Sequence, residues 1–259
     1  MKTKLALLLA SLLAGTAHAQ SVEVSGYVSS GQYSGGGSST SFSQYLKVFL
    51  QPESFVYLGH SSSLYRGSQP FASGTRQELV NVGGLFKLDD TNYLNAEYYH
   101  LSDNQGGGGH MLGAEFSHVF DSEFSAGLGV NYSSYPGYSV EQVIPRFVWR
   151  PEENLKLNSR IYLTHSSQMG TYLSLVEKLQ LNVTPELELT LGGVIGPNLN
   201  RIDNDTSIIY TQPQVQTGAL TAGCGYRPDP DVRLQLTLER DYFRGYTVNY
   251  IGGGLDVRF

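Results

Sequence analysis

An all-β fold, a closed antiparallel transmembrane barrel of about fourteen strands with both termini in the periplasm, is predicted by three observations. Helix signals are nearly absent, segments of strict period-2 alternation recur, and tight polar turns alternate with looser Gly/Ser/Asn-rich loops. A secreted soluble sandwich is the other class that the composition allows, but its strands average only about 5–6 residues.

The chain opens with MKTKLALLLASLLAGTAHAQ. Lys2 and Lys4 form a basic start, Leu5–Leu13 an apolar run too short to span a bilayer, and Ala17-His18-Ala19 a small-residue cleavage site. Residues 1–19 therefore read as a cleaved secretory leader, with Gln20 as the mature start of a barrel over 20–259. No Cys follows the LLAG run, which argues against a lipid anchor. Loss of Lys2 and Lys4 leaves 15 basic against 23 acidic residues, so the net charge moves from −6 to −8. An acidic chain without a basic run argues against nucleic acid as partner, and a single cysteine, Cys224, excludes an intramolecular disulfide.

Two segments carry the strand pattern most clearly. FSAGLGVNYS (124–133) sets Phe124, Ala126, Leu128, Val130 and Tyr132 against Ser125, Gly127, Gly129, Asn131 and Ser133. VRLQLTLERDY (232–242) sets Val232, Leu234, Leu236 and Leu238 against Arg233, Gln235, Thr237, Glu239 and Asp241. Apolar-out, polar-in alternation of this length suits a wall with lipid on one side and water on the other. Tight breaks fall at Gln51–Ser54, Asp89–Asn92, Asp121–Ser122, Pro151–Asn154, Thr184–Pro185 and Pro228–Asp231. Looser stretches lie at 33–40, 66–74, 103–109, 134–138, 167–170, 196–212 and 244–246. Six turns and seven loops give thirteen connections, hence fourteen strands.

The chain stops on LDVRF, with Leu255, Val257 and Phe259 on one face. A closed barrel has no edge, so the last strand is expected to pair with the first near Val22–Val28. Gly254, Val257 and Phe259 resemble the C-terminal signal of bacterial outer-membrane proteins, which implies the barrel-assembly machinery as a transient partner. Phe259 is suited to an interfacial aromatic belt with Trp149 and Phe147. Length, a single barrel without plug and the spacing of turns resemble the YaiO-type outer-membrane barrels. That resemblance implies surface-polysaccharide export, with outer-membrane lipid and lipopolysaccharide as surroundings.

Several motifs carry chemistry. THSSQMG (164–170) resembles the His-x-Ser pattern of outer-membrane phospholipases and lipid A deacylases. His165 and Ser167 share the lipid-facing side with Leu155, Leu157, Ile161 and Leu163, where an ester would arrive from the bilayer. The Asn of that pattern is replaced by Gln168, and Glu177 lies about nine residues from the loop, too deep to orient His165. GHSSS (59–63) and YHLSDN (99–104) are two further His-containing stretches. Asp203-Asn204-Asp205 lacks the glycine and distal Glu of a calcium loop, so no metal or cofactor is expected. The Gly106–Gly109 run is read as a loop tip, the Gly252–Gly254 run as a bend in a curved strand, and Cys224 as an apolar wall residue.

The lumen is the leading candidate. Inward positions include Arg146, Arg150, Lys156, Arg160, Lys178, Glu115, Glu188, Glu239 and Asp241. Charges survive there facing water or one another, because on the lipid face near the midplane each costs about 2–4 kcal/mol. The turn at Pro151–Asn154 sets Arg150 opposite Lys156 and Arg146 opposite Arg160, and the next loop sets Lys178 opposite Arg160. Glu115 can reach Arg146 across Gly127 and Gly129. A basic strip facing Glu188, Glu239 and Asp241 would give a transverse field at a constriction. A channel for small polar, saccharide-like solutes is the first reading, a His165/Ser167 lipid hydrolase the second and a purely structural barrel the third.

Overall fold

The computed structural model describes residues 21–67, 73–198, 201–203, 208–210 and 215–259; the leader at 1–19, Gln20, Asn204 and Asp205 lie outside them. The first seven strands are β1 (Ser21–Tyr33), β2 (Gly37–Gln51), β3 (Ser54–Gly67), β4 (Arg76–Lys87), β5 (Asn92–Asp103), β6 (Gly108–Val119) and β7 (Phe124–Tyr135). Next come β8 (Tyr138–Glu152), β9 (Leu155–Ser166), β10 (Gly170–Asn182), β11 (Leu187–Asn198), β12 (Arg201–Asp203) and β13 (Ile208–Tyr210). The chain finishes with β14 (Gln216–Asp229), β15 (Val232–Phe243) and β16 (Tyr246–Arg258).

Every strand except β12 and β13 joins one closed barrel, in which each pairs antiparallel with its sequence neighbour and β16 returns to β1. Among the described residues the barrel therefore has fourteen strands, as the turn and loop spacing predicts. β12 and β13 pair only with each other, so the stretch expected as a plain loop at 196–212 contains a short ladder. A second difference is at 33–40, where the Gly/Ser-rich chain is strand except at 34–36. Small side chains do not prevent pairing when both neighbouring strands supply partners, and β2 has both from Gly37 onward.

The expected turns all fall at one end of the barrel, with Ser21 and Phe259; this is called the turn end, and the other the loop end. Short polar side chains build several of these turns. Asp89 accepts the Thr91 and Asn92 amides at 2.9 Å, and Asp121 accepts those of Glu123 and Phe124 at 2.8 and 2.7 Å. This is the Asx turn, a side-chain acceptor standing in for a backbone carbonyl. The Asn92 side-chain amide, which donates to Asp89 Oδ2 at 2.7 Å, and then these backbone contacts hold the Asp89 carboxyl down at about 2.

The seam closes the ladder completely. Val22 N–H donates to Phe259 O at 3.0 Å and Phe259 N–H returns to Val22 O at 2.8 Å, so the last residue is paired and does not fray. The Phe259 ring is 76% exposed and points outward, as do Phe120, Phe124, Phe147 and Trp149. Phe120 and Phe124 stack at 5.6 Å, and Phe124 on Phe147 at 6.5 Å, giving an aromatic belt at the turn end.

Gly254 also has a packing role. It directly opposes Tyr27, and a Cβ there would collide with the Tyr27 ring, so the glycine makes room for an aromatic side chain. The same relation joins Tyr45 to Gly59, Tyr57 to Gly83 and Tyr250 to Gly31, each pair directly cross-strand. Aromatic rings covering glycines on the neighbouring strand restore packing that a bare glycine lacks.

Candidate lumen site

The polar face of each strand turns inward, and its tyrosines and charges meet inside the barrel. Two apolar clusters fill part of the loop-end half. Tyr33, Phe243 and Val248 pack with Tyr65, Tyr246 and Tyr250, which together come from β1, β3, β15 and β16, and Leu79, Tyr99 and Met111 pack with Leu101 across β4–β6. Tyr135 stacks on Tyr138 at 4.8 Å.

The turn-end half holds a cavity of about 540 Å³. One side is phenolic, with Tyr27, Tyr45, Tyr57 and Tyr99; the other carries Arg146, Arg160 and Arg233 with their carboxylates. Arg146 Nη1 lies 2.7 Å from Glu115 Oε1, and Arg160 Nη2 lies 3.7 Å from Glu115 Oε2. Arg146 Nε also donates to Asn158 Oδ1 at 3.2 Å. Arg146 and Arg160 are direct cross-strand partners, and Glu115 lies against both of these like charges. Arg233 Nη2 lies 2.7 Å from Glu188 Oε1, and Lys47 Nζ 2.7 Å from Glu23 Oε1. Tyr27 Oη donates to Asp256 Oδ1 at 2.5 Å, and Gln235 Nε2 to Asp256 Oδ2 at 2.7 Å.

Several positions expected from the sequence are placed differently. Lys178 opposes Asn158, while Arg160 opposes Val176, because the connection between β9 and β10 sets Gly170 against Ser166. The shift is two residues, so Lys178 keeps its inward face but stands diagonal to Arg160. Between Trp149 and Glu152 the register is irregular, and no direct Arg150–Lys156 pair forms in the ladder. Glu188 is tied to Arg233, while Glu239 accepts from Thr221 at 3.1 Å and is buried, as is Asp241.

Sequence reading missed Tyr45, Tyr57, Tyr99 and Glu23 as parts of this cavity. Alternation alone marks these tyrosines as inward, but which of them meet depends on the closure of the barrel.

His165 and Ser167 are held by other groups. His165 Nδ1 lies 2.9 Å from Thr171 Oγ1, while Ser167 Oγ accepts the Ser139 amide at 2.9 Å. Ser167 N–H also donates to Ser139 O at 3.1 Å. Glu177 accepts the Ser159 hydroxyl at 2.7 Å. Among the described residues, no hydrogen bond joins His165 to Ser167, so this geometry brings no base to that hydroxyl.

A closed fourteen-stranded barrel with an apolar outer face and a charged, aqueous interior defines an outer-membrane β-barrel protein: only closed barrels and helices satisfy every backbone group in lipid. Comparison with solved structures gives the same fold. Omp33 of Acinetobacter baumannii matches with a TM-score of 0.55 at 12% identity, covering 93% of this chain and 99% of that one. The toluene transporter TbuX of Ralstonia pickettii matches at 0.55 and 10% identity, over 92% and 88% of the two chains. A bacterial polysaccharide outer membrane secretin matches at 0.52 and 12% identity, over 92% and 98%. No family model and no curated protein matches the sequence.

Proposed function

We propose that this barrel is a channel for small polar solutes of saccharide-like chemistry. The observation that carries the reading is the cavity of about 540 Å³ at the turn end, with tyrosine rings on one side and ion-paired arginines on the other. Its volume falls within the roughly 300–1,000 Å³ of small-molecule sites. Phenol rings offer apolar surface to sugar C–H groups, while Asn, Gln and carboxylate oxygens along the same wall offer hydrogen bonds to hydroxyls. The inner charges are largely answered by one another, which favours neutral, heavily hydroxylated solutes over ions.

The resemblance to YaiO-type barrels and the polysaccharide-related match point the same way, toward sugars. We further infer that the turn end and both termini face the periplasm, that the loop end faces outward, and that the terminal strand is read by the barrel-assembly machinery. Planar-bilayer recordings with sugar-induced swelling of proteoliposomes test the channel. Discrete conductance steps and uptake of mono- or disaccharides are expected; a silent bilayer together with no sugar uptake would overturn it.

A further inference from the structure

We infer that the outward face of β3–β6 near the loop end binds the phosphorylated headgroup of a bilayer lipid. The two ends of the outer surface differ in chemistry. The turn end displays phenylalanines and Trp149, whereas the loop end of β3–β6 displays ionisable groups on the same bilayer-facing side.

His60 Nε2 lies 2.8 Å from Glu78 Oε2, while Ser62 Oγ and Arg76 Nε donate to Glu78 Oε1 at 2.9 and 2.6 Å. On the next strands Tyr98 Oη lies 2.5 Å from His110 Nδ1, and the His100 and His110 rings stack at 4.7 Å. The two groups are contiguous, because Val80 directly opposes both His60 and His100.

The charge balance is positive. Glu78 is answered by Arg76, whose side chain is 62% exposed and whose two η nitrogens make no hydrogen bond among the described residues. Arg66 also points outward and is exposed. Leu64 directly opposes Arg76, so Arg66 is the diagonal neighbour of Arg76 across the ladder. Both guanidinium groups have donors without a partner among the described residues, and each presents the fork that matches a phosphate bidentately. Val80, Val82 and Leu112, exposed on the same face, continue the surface toward the barrel middle and suit acyl chains.

This site lies on the opposite side of the wall from the lumen. It rests on the barrel standing in a bilayer and is independent of conduction.

Native mass spectrometry of the detergent-solubilised protein with bisphosphorylated lipid A, and with its dephosphorylated form, tests it. The wild type should retain the phosphorylated lipid, and the Arg66→Gln/Arg76→Gln double variant should bind it roughly tenfold or more weakly. Arg66→Gln alone removes no hydrogen bond among the described residues and should show a smaller loss in the same direction. Arg240→Gln, on the far wall where Arg240 lies 5.5 Å from the Tyr242 ring, should bind as the wild type does. Equal binding of the dephosphorylated lipid, or unchanged binding by a double variant that keeps its heat-dependent gel shift, would overturn the site.

Discussion

Arg146 and Arg160 face one another directly across the β8–β9 ladder, and Glu115 on β6 reaches both, at 2.7 and 3.7 Å. The reach crosses β7, whose inward residues there are Gly127 and Gly129, so no side chain stands between them. This three-residue bridge braces the lumen wall and also fixes the sign of its charge.

Glu115→Gln should therefore remove the carboxylate shared by two opposed guanidinium groups, lowering barrel stability by about 1–3 kcal/mol. A reduced temperature for loss of the gel shift would register it. The neutral triple variant, with Gln at 115, 146 and 160, should recover most of that loss. Failure to recover would mean that the charges are not what destabilises the single variant.

Neutralising Arg146, Arg160 and Lys178 removes three positive groups from the lumen while leaving Glu115 and Glu188. Ion selectivity in single-channel recordings should shift toward cations. Unchanged selectivity in an open channel would place the conduction path away from this wall.

Gly254→Val should block assembly, because its Cβ would occupy the space of the Tyr27 ring. Tyr27→Ala in the same chain should restore a folded barrel, since it vacates that space. Gly252→Ala, where the nearest contact of a Cβ is Ser29 Cβ at 3.4 Å, should be tolerated. Yields of heat-shiftable barrel compare all three.

Phe259→Ala, or removal of Val257–Phe259, should lower the amount of barrel inserted in the outer membrane without stopping export across the inner membrane. The deletion removes both Val22–Phe259 hydrogen bonds and the end of the β1–β16 ladder. Normal surface yield of both variants would count against the terminal strand as an assembly signal.

Asp89 is ionised in its turn down to about 2, against an ordinary value of 3.8. A depressed carboxyl stabilises the folded turn above its unfolded value and loses that contribution as pH falls through the folded one. Protection of the Thr91 and Asn92 amides, taken as exchange relative to the intrinsic rate at each pH, should thus be constant above about pH 4 and fall between about pH 4 and pH 2. Asp89→Asn should remove that pH-dependent component.

Much of the architecture was legible in the one-dimensional pattern. Period 2 assigns each side chain to lipid or lumen, so Leu128 outside and Arg146 inside needed no coordinates. Turn chemistry such as Asp89 and Asp121 marks where the chain reverses, and the count of reversals gives the strand number. What alternation leaves open is register in steps of two, because such a slip preserves both faces. Lys178 shows this: its inward face was readable, but its partner, Asn158, depended on how the β9–β10 connection closes.

Closure decided the rest. Only a complete cylinder sets Gly254 beneath Tyr27, 227 positions away in the chain. Curvature of the sheet also lets Arg233 reach Glu188 across β14. Local sequence fixes which face a residue takes, since that follows from backbone geometry alone. Which residues meet inside is set by curvature and shear, properties of the whole sheet that no single strand encodes.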